Sequence, residues 1–269
     1  NRTIPYGSVF IFAPYIQTMA LQEEMEKQGL WLFKYRSQLP LFLLGFGLSY
    51  YLWSKVHHIR PFPENSRSEE WFLYACMIVS FLGLLMRVYI VGHTPVNTSG
   101  RNTSEGQVAD TINQTGMYSM VRHPLYVGNF IMWLGIALFT ASIWFVLLFI
   151  AVYWLYYERI MYAEEQFMRK KFGNAYTDWA EKTPAFIPEF SNYKKPSLPF
   201  SWKKVLKKEK NGLAAIFIVF LLFYAAGQLI TNNVIQNNFL IYGTVFSILY
   251  YVVIKVIRKY TTLLHETDR

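Results

Sequence analysis

Cysteine is almost missing from this chain. Its single copy, Cys76, sits inside an apolar segment, which leaves no disulfide framework and no cysteine-based metal site to expect. Charge is scarce as well. Charged residues make up 16% of the chain against 53% hydrophobic and 19% aromatic, a balance too apolar for an ordinary soluble domain of 269 residues. The scarcity is uneven, since residues 125–157 carry no charge at all. Self-similarity at a period of about 20 to 50 residues is also missing, which sets aside solenoid and propeller arrays. The formal charge of +9 would suit nucleic acid, but the lysines and arginines cluster in short stretches beside apolar segments. Anionic lipid headgroups are the natural partner of that arrangement, and nucleic acid is not expected.

What is present is a series of six apolar stretches, at 39–54, 71–92, 124–141, 143–157, 213–230 and 239–254. Several lie near the short end of the roughly 17–25 residues that span a bilayer, so tilt or local thinning must help. The pattern predicts an all-α, polytopic integral membrane protein with about six transmembrane helices. The uncharged run 125–157 decides its central feature. As one helix it would reach roughly 50 Å at ~1.5 Å per residue, against a hydrocarbon core of ~30 Å. Two short helices folded into a hairpin fit better, with the turn near Thr140, Ala141 and Ser142. Lysines and arginines crowd residues 159–210, whereas the turns near Ser142 and across 231–238 are uncharged. The positive-inside rule then places the 94–123 and 158–212 loops and both termini in the cytoplasm, with the 55–70 loop outside.

The expected organisation is an N-terminal interfacial segment at 1–38, a membrane core at 39–188, a basic amphipathic linker at 189–212 and a C-terminal helix pair with a tail at 213–269. The linker reads as Pro turns followed by a short basic helix carrying Trp202, Val205 and Leu206, lying in the plane of an anionic surface. The first eighteen residues contain Pro5, Gly7 and Pro14 in an uncharged stretch, and an interfacial piece, a seventh span and an uncleaved targeting segment all fit them.

Two short motifs carry the chemistry. Residues 116–128 read GMYSMVRHPLYVG. Pro124 suits the first turn of a helix, where its missing N–H costs nothing, which puts His123 at the cap and Arg122 just before it. A helix start offers unpaired N–H groups and a positive dipole end to an anion, and Arg122 adds a planar cation able to hold a carboxylate in two bonds. The second motif is Glu164-Glu165, on a helix that runs unbroken from Ile143 to about Phe172. Glu158, Met161, Tyr162, Glu165 and Met168 share a stripe of that helix, with Glu164 about 100° away. A hairpin returns the chain to its starting side, so Arg122, His123, Glu164 and Glu165 share one membrane face.

Plainer readings stand beside these. An Arg-His pair before a helix also serves as an interfacial anchor, a Glu-Glu pair as a solvated face, and tyrosines such as Tyr153 and Tyr157 as an aromatic belt. Arg87 either snorkels to the interface or lines a headgroup pocket. His57-His58 lacks further ligands, so no metal site is expected there. The sequons at Asn97, Asn102 and Asn113 fall on the predicted cytoplasmic side, where glycosylation does not occur. The polar, glycine-containing loop 95–116 reads as a lid.

The stretch 87–188 resembles the isoprenylcysteine carboxyl methyltransferase and phospholipid methyltransferase family of integral-membrane enzymes. The resemblance rests on Gly116, Tyr118, Arg122-His123-Pro124, Tyr126 and Gly128, followed by Glu164-Glu165, Phe172-Gly173, Tyr176 and the sequence PAFIP at 184–188. It implies an S-adenosylmethionine pocket between the Arg-His-Pro corner and the Glu-Glu helix, with a lipid substrate entering sideways from the bilayer. On that resemblance Gly116, Tyr118, Arg122, His123, Pro124, Tyr126, Glu164 and Glu165 hold the cofactor. Arg122, His123 and Glu165 take catalytic roles, and Arg87, Tyr176 and Trp179 lie on the substrate side. Trp179 departs from the pattern, standing where relatives often have a second tyrosine, and the last pair of apolar stretches lies beyond the resembling region. The implied reaction is methyl transfer to a membrane lipid or lipid-modified substrate with a carboxylate, phosphate or amine headgroup. A nicotinamide-dependent membrane reductase of the sterol reductase type and a non-catalytic lipid-binding protein remain as alternatives. Neither the acceptor nor the oligomeric state is set by the sequence.

Overall fold

Each of the six apolar stretches is helical in the structure, a computed structural model that describes residues 20–36, 38–63, 66–95, 101–103, 106–231 and 234–266. In chain order the elements are α1 (Leu21–Lys34), α2 (Leu39–Val56), α3 (Arg67–His93), β1 (Arg101–Thr103), β2 (Gly106–Val108), α4 (Met117–Met120), α5 (Pro124–Phe139), α6 (Ile143–Phe172), α7 (Asn174–Ala180), α8 (Trp202–Ile230) and α9 (Asn238–Tyr260). The readings made for the first eighteen residues, for Asn97 and for the Asn102 side chain lie outside the described residues. The protein is all-α apart from the antiparallel ribbon β1–β2, which pairs Arg101 with Val108 and Thr103 with Gly106.

Helices α3, α6, α8 and α9 are each long and apolar enough to cross a membrane, and α5 is a shorter apolar helix. Their outer faces are not a protein core. The apolar window of α9 is only 22% buried, and Trp144, Phe42 and Phe246 point outward. Apolar surface of that extent needs lipid against it, and the protein is an integral membrane protein. The hairpin turn falls where the length argument put it. Thr140 ends α5, Ala141 turns with φ of 57°, and Ser142 starts α6 with its Oγ accepting from the Phe145 N–H at 3.3 Å.

Two apolar clusters hold the bundle. One joins α2, α3, α5, α8 and α9 through Tyr51, Leu73, Met77, Phe139, Phe220, Phe223 and Leu240. The other joins α1, α5 and α6 through Phe33, Ala137, Phe145, Phe149, Tyr153, Tyr157 and Ile160. In the segment expected to be interfacial, α1 instead packs along α6. The helices meet at Gly29, where an added Cβ would lie 2.1 Å from the Arg159 carbonyl oxygen, so only glycine allows this approach. Tyr156 adds a hydrogen bond from its hydroxyl to the Leu32 carbonyl at 3.1 Å.

The basic linker differs from the sequence reading. No separate in-plane helix ends near residue 212, because α8 runs without a break from Trp202 into the apolar stretch that closes at Ile230. Its first turns dock on the protein: Lys204 is buried and donates to the Thr94 and Pro95 carbonyls, and Glu209 is buried beside Arg87. Helix propensity and these tertiary bonds carry the helix through a change of composition that looks like a boundary in the sequence.

Candidate active site

The Arg-His-Pro corner starts α5 as its residues dictate, with His123 at the cap and Pro124 in the first turn. A strap of chain locks it in place. The Arg122 N–H donates to the Pro184 carbonyl at 2.8 Å, His123 N–H to Ala185 at 3.2 Å, and Glu189 N–H to Met120 at 2.9 Å. The PAFIP sequence is therefore the backbone partner of the corner. Gly173 ends α6 with φ of 55° and lets the chain turn directly into α7, which carries Tyr176 and Trp179 back over the corner.

The two motifs meet. Arg122 Nε donates to Glu165 Oε1 at 2.8 Å, and its Nη1 donates to the carbonyls of Ala180 at 2.5 Å and Thr183 at 2.6 Å. His123 Nε2 lies 3.1 Å from Glu165 Oε1, its Nδ1 3.6 Å from Glu164 Oε2, and the Tyr126 hydroxyl donates to Glu164 Oε1 at 2.8 Å. Burial works against a charge on His123. The hydrogen bonds and charges of Glu164 and Glu165 outweigh it and hold the imidazole pKa above its ordinary value. The raised pKa enlarges the share of the imidazolium form, in which both ring nitrogens donate.

These side chains border a cavity of about 300 Å³. Tyr118, Arg122, His123, Tyr126 and Glu164 line it from the motifs, and Arg87, Tyr176 and Trp179 line it from the remaining positions singled out above. The ribbon and the turn after it contribute Gln107, Ala109, Ile112 and Asn113, so the described part of loop 95–116 forms part of the cavity wall. Asn113 is turned inward there and its Oδ1 accepts from the Thr115 N–H. Burial raises the Tyr118 and Tyr176 phenol pKa values, and both remain neutral donors at ordinary pH.

Several expected roles sit differently in three dimensions. Glu165 is not in the cavity wall; it stands behind Arg122 and His123 and joins them. The face of α6 that meets the cavity is Glu164, Phe167 and Met168, an i, i+3, i+4 set centred on the other glutamate of the pair. Gly116 and Pro124 are likewise outside the lining. Gly116 instead pairs its backbone with Lys194. Arg122 has spent its Nε and Nη1 on the protein, so it is not open for the two-bond grip expected of it. Arg87 does not snorkel outward. Its Nε and Nη2 take both oxygens of Glu209 at 2.8 Å, and its Nη1 takes Asn129 Oδ1 at 2.6 Å, which ties α3 to α8 and α5.

Sequence reasoning missed Arg36, Gln107, Asn129, Phe167 and Glu209. Asn129 had a signal, as an amide inside an uncharged membrane stretch, and Glu209 had one, as an acid inside a lysine run. Arg36 had none. Trp179 is shared between this cavity and a polar groove of about 510 Å³ lined by Ser119, Asp178, Lys182 and Lys194, so its ring divides the two spaces.

The phospholipid methyltransferase family model matches residues 71–175, a segment that includes both motifs. Over 129 residues the chain is 31% identical to a nickel-cobalt-cadmium resistance protein of Alcaligenes xylosoxydans xylosoxydans, covering 48% of this chain and 57% of the relative. It is 31% identical over 133 residues to a cobalt-zinc-cadmium resistance protein of Cupriavidus metallidurans, covering 46% and 60%. It is 37% identical over 73 residues to the protein-S-isoprenylcysteine O-methyltransferase of Schizosaccharomyces pombe, covering 27% and 31%. The chain thus matches less than two thirds of the length of each of these relatives. No solved structure matches it. Among the described residues no group of three or more His, Cys, Asp and Glu stands ready to hold a metal ion.

Proposed function

We propose that this protein is an S-adenosylmethionine-dependent methyltransferase acting on a lipid or lipid-modified acceptor at the basic, cytoplasmic face of the membrane. The observation that carries the reading is Glu164: its carboxylate is held by Tyr126 and His123 and borders a cavity beside the Arg-His-Pro corner. The match of residues 71–175 to the phospholipid methyltransferase family model supports the same reaction class.

The residues present fit the cofactor. The cavity is at the lower end of the size usual for small-molecule sites. Tyr118, Tyr126, Phe167 and Trp179 give flat apolar walls for a purine, and Glu164 accepts from an amine or from ribose hydroxyls. The Trp179 Nε1 and Gln107 Nε2 donors are buried without a protein partner, which marks polar contacts left for a ligand. When bound, S-adenosylmethionine would supply a sulfonium methyl group for direct attack by an oxygen or nitrogen nucleophile, the new C–O or C–N bond forming as the C–S bond breaks and S-adenosylhomocysteine leaves.

The protein's own contribution is positioning. Tyr126 and His123 fix the orientation of Glu164, Glu165 fixes Arg122 and His123, and Arg122 fixes the chain around Ala180 and Thr183 that presents α7. The ribbon side and α7 supply walls that separate the cavity from solvent on those sides. Holding two reactants in line draws on the ~7–11 kcal/mol available from proximity. A carboxylate or phosphate acceptor needs little proton transfer, whereas an amine acceptor would need a base, with Glu164 placed in the cavity wall.

The test is ligand binding by the purified protein in detergent, comparing S-adenosylhomocysteine with reduced nicotinamide dinucleotide phosphate by calorimetry. The expected result is binding of the first alone, together with radiolabelled methyl groups passing from S-adenosylmethionine to the organic-extractable fraction of membranes or to a lipid-modified protein. Binding of the nicotinamide nucleotide alone would replace this reading with a reductase.

A further inference from the structure

The polar inventory of the cavity is unbalanced. Three cationic residues in its wall have carboxylate partners: Arg87 has Glu209, Arg122 has Glu165, and His123 has both Glu164 and Glu165. Arg36 also lines the wall, and among the described residues it has no such partner. Its guanidinium lies 3.9 Å over the Phe33 ring and makes one long bond, at 3.4 Å, to the Phe33 carbonyl. The buried side-chain atoms of the same wall that find no partner are both donors, Gln107 Nε2 and Trp179 Nε1. An unbalanced cation and two unmet donors call for a ligand that brings negative charge and acceptor oxygens together.

We propose that Arg36, Gln107 and Trp179 form an oxyanion receptor in this cavity, for a carboxylate or phosphate group carried by the bound molecule. Arg36 lies in the turn between α1 and α2, outside the family-matched segment 71–175, so the receptor is built partly by an element that segment lacks. Its placement is firm: α1 is seated on α6 at Gly29 and anchored by the buried Phe33. The methyltransferase reading enters only in naming the source of the oxyanion, either the headgroup of the methyl acceptor or the amino-acid carboxylate of the cofactor.

Calorimetry in a neutral detergent tests the receptor with three probes: dodecyl phosphate, S-adenosylhomocysteine, and methylthioadenosine, which lacks the carboxylate. Arg36→Gln should weaken binding of dodecyl phosphate or of S-adenosylhomocysteine by about tenfold to hundredfold, and leave methylthioadenosine unchanged. A loss for dodecyl phosphate assigns the receptor to the acceptor; a loss for S-adenosylhomocysteine alone assigns it to the cofactor. Trp179→Phe keeps an aromatic side chain, removes the N–H and should weaken the same probe by a smaller factor, which serves as the test if Arg36→Gln fails to fold. Wild-type affinity for both anionic probes in folded Arg36→Gln overturns the receptor, as does a wild-type protein that binds neither. Arg36-dependent binding of dodecyl phosphate without any binding of S-adenosylhomocysteine keeps the receptor and overturns the methyltransferase reading.

Discussion

Arg87 and Arg122 face the same cavity, and each grips a glutamate at 2.8 Å, but their partners come from different distances along the chain. Glu165 lies 43 residues from Arg122, across one helical hairpin and inside the family-matched segment. Glu209 lies 122 residues from Arg87, on a helix outside it. The first pair shares its glutamate with His123 and extends to two carbonyls, so it shapes the corner beside the cavity. The second pair meets oxygen for nitrogen, reaches Asn129 through the remaining Arg87 nitrogen, and fastens α3 to α8 and α5. Similar chemistry therefore serves two purposes, one arranging a site and the other joining helices.

The sharpest way to break this comparison is Glu209→Leu. It leaves Arg87 inside the bundle without its carboxylate, which should cost about 3–5 kcal/mol of stability, read as a lowered midpoint of unfolding in detergent. Adding Arg87→Met should recover most of the loss. A single variant as stable as wild type would remove the fastening role. Glu165→Gln should show the opposite emphasis: Arg122 and His123 lose the carboxylate that positions them, affinity for S-adenosylhomocysteine falls by about tenfold, and unfolding moves less than for Glu209→Leu. Equal effects of the two variants on both readouts would merge the roles.

Gly29→Ala probes the element that carries Arg36. Its Cβ would meet the Arg159 backbone oxygen, which cannot rotate away, so α1 should lift from α6 at about 1–3 kcal/mol. Faster proteolytic cleavage between α1 and α2 is the expected sign, and an unchanged pattern would show that α1 is held elsewhere. A further effect is set by pH. The folded pKa of His123 lies above its unfolded value near 6.5, so its ion pairs stabilise the protein fully below that value. The contribution fades as pH rises through the raised pKa. Unfolding midpoints followed upward from about pH 6 should fall in wild type and stay flatter in His123→Gln. The smallest change expected is Ala141→Gly, where glycine relieves the positive φ of the hairpin turn and raises stability by under about 1 kcal/mol. A loss instead would mean that the turn is not strained.

The sequence by itself determined the helices and the hairpin. An uncharged run too long for one span has to fold back, and Pro124, Thr140 and Ser142 mark its ends, because capping and membrane thickness act over a few residues and are written locally. That was enough to bring the Arg-His-Pro corner and the Glu-Glu pair to one end of the bundle. Only the tertiary structure decided which glutamate enters the cavity, since Glu164 and Glu165 differ by a single helical step whose direction depends on what packs around α6. It also decided that Arg122 is already engaged, that the lysine run belongs to a membrane helix, and that Arg36 and Glu209 reach the cavity region at all. These outcomes rest on contacts between distant segments, such as α1 on α6 and α8 on α3. The energy of such a contact depends on the partner's position in space, and no local pattern around Arg36 or Glu209 records it.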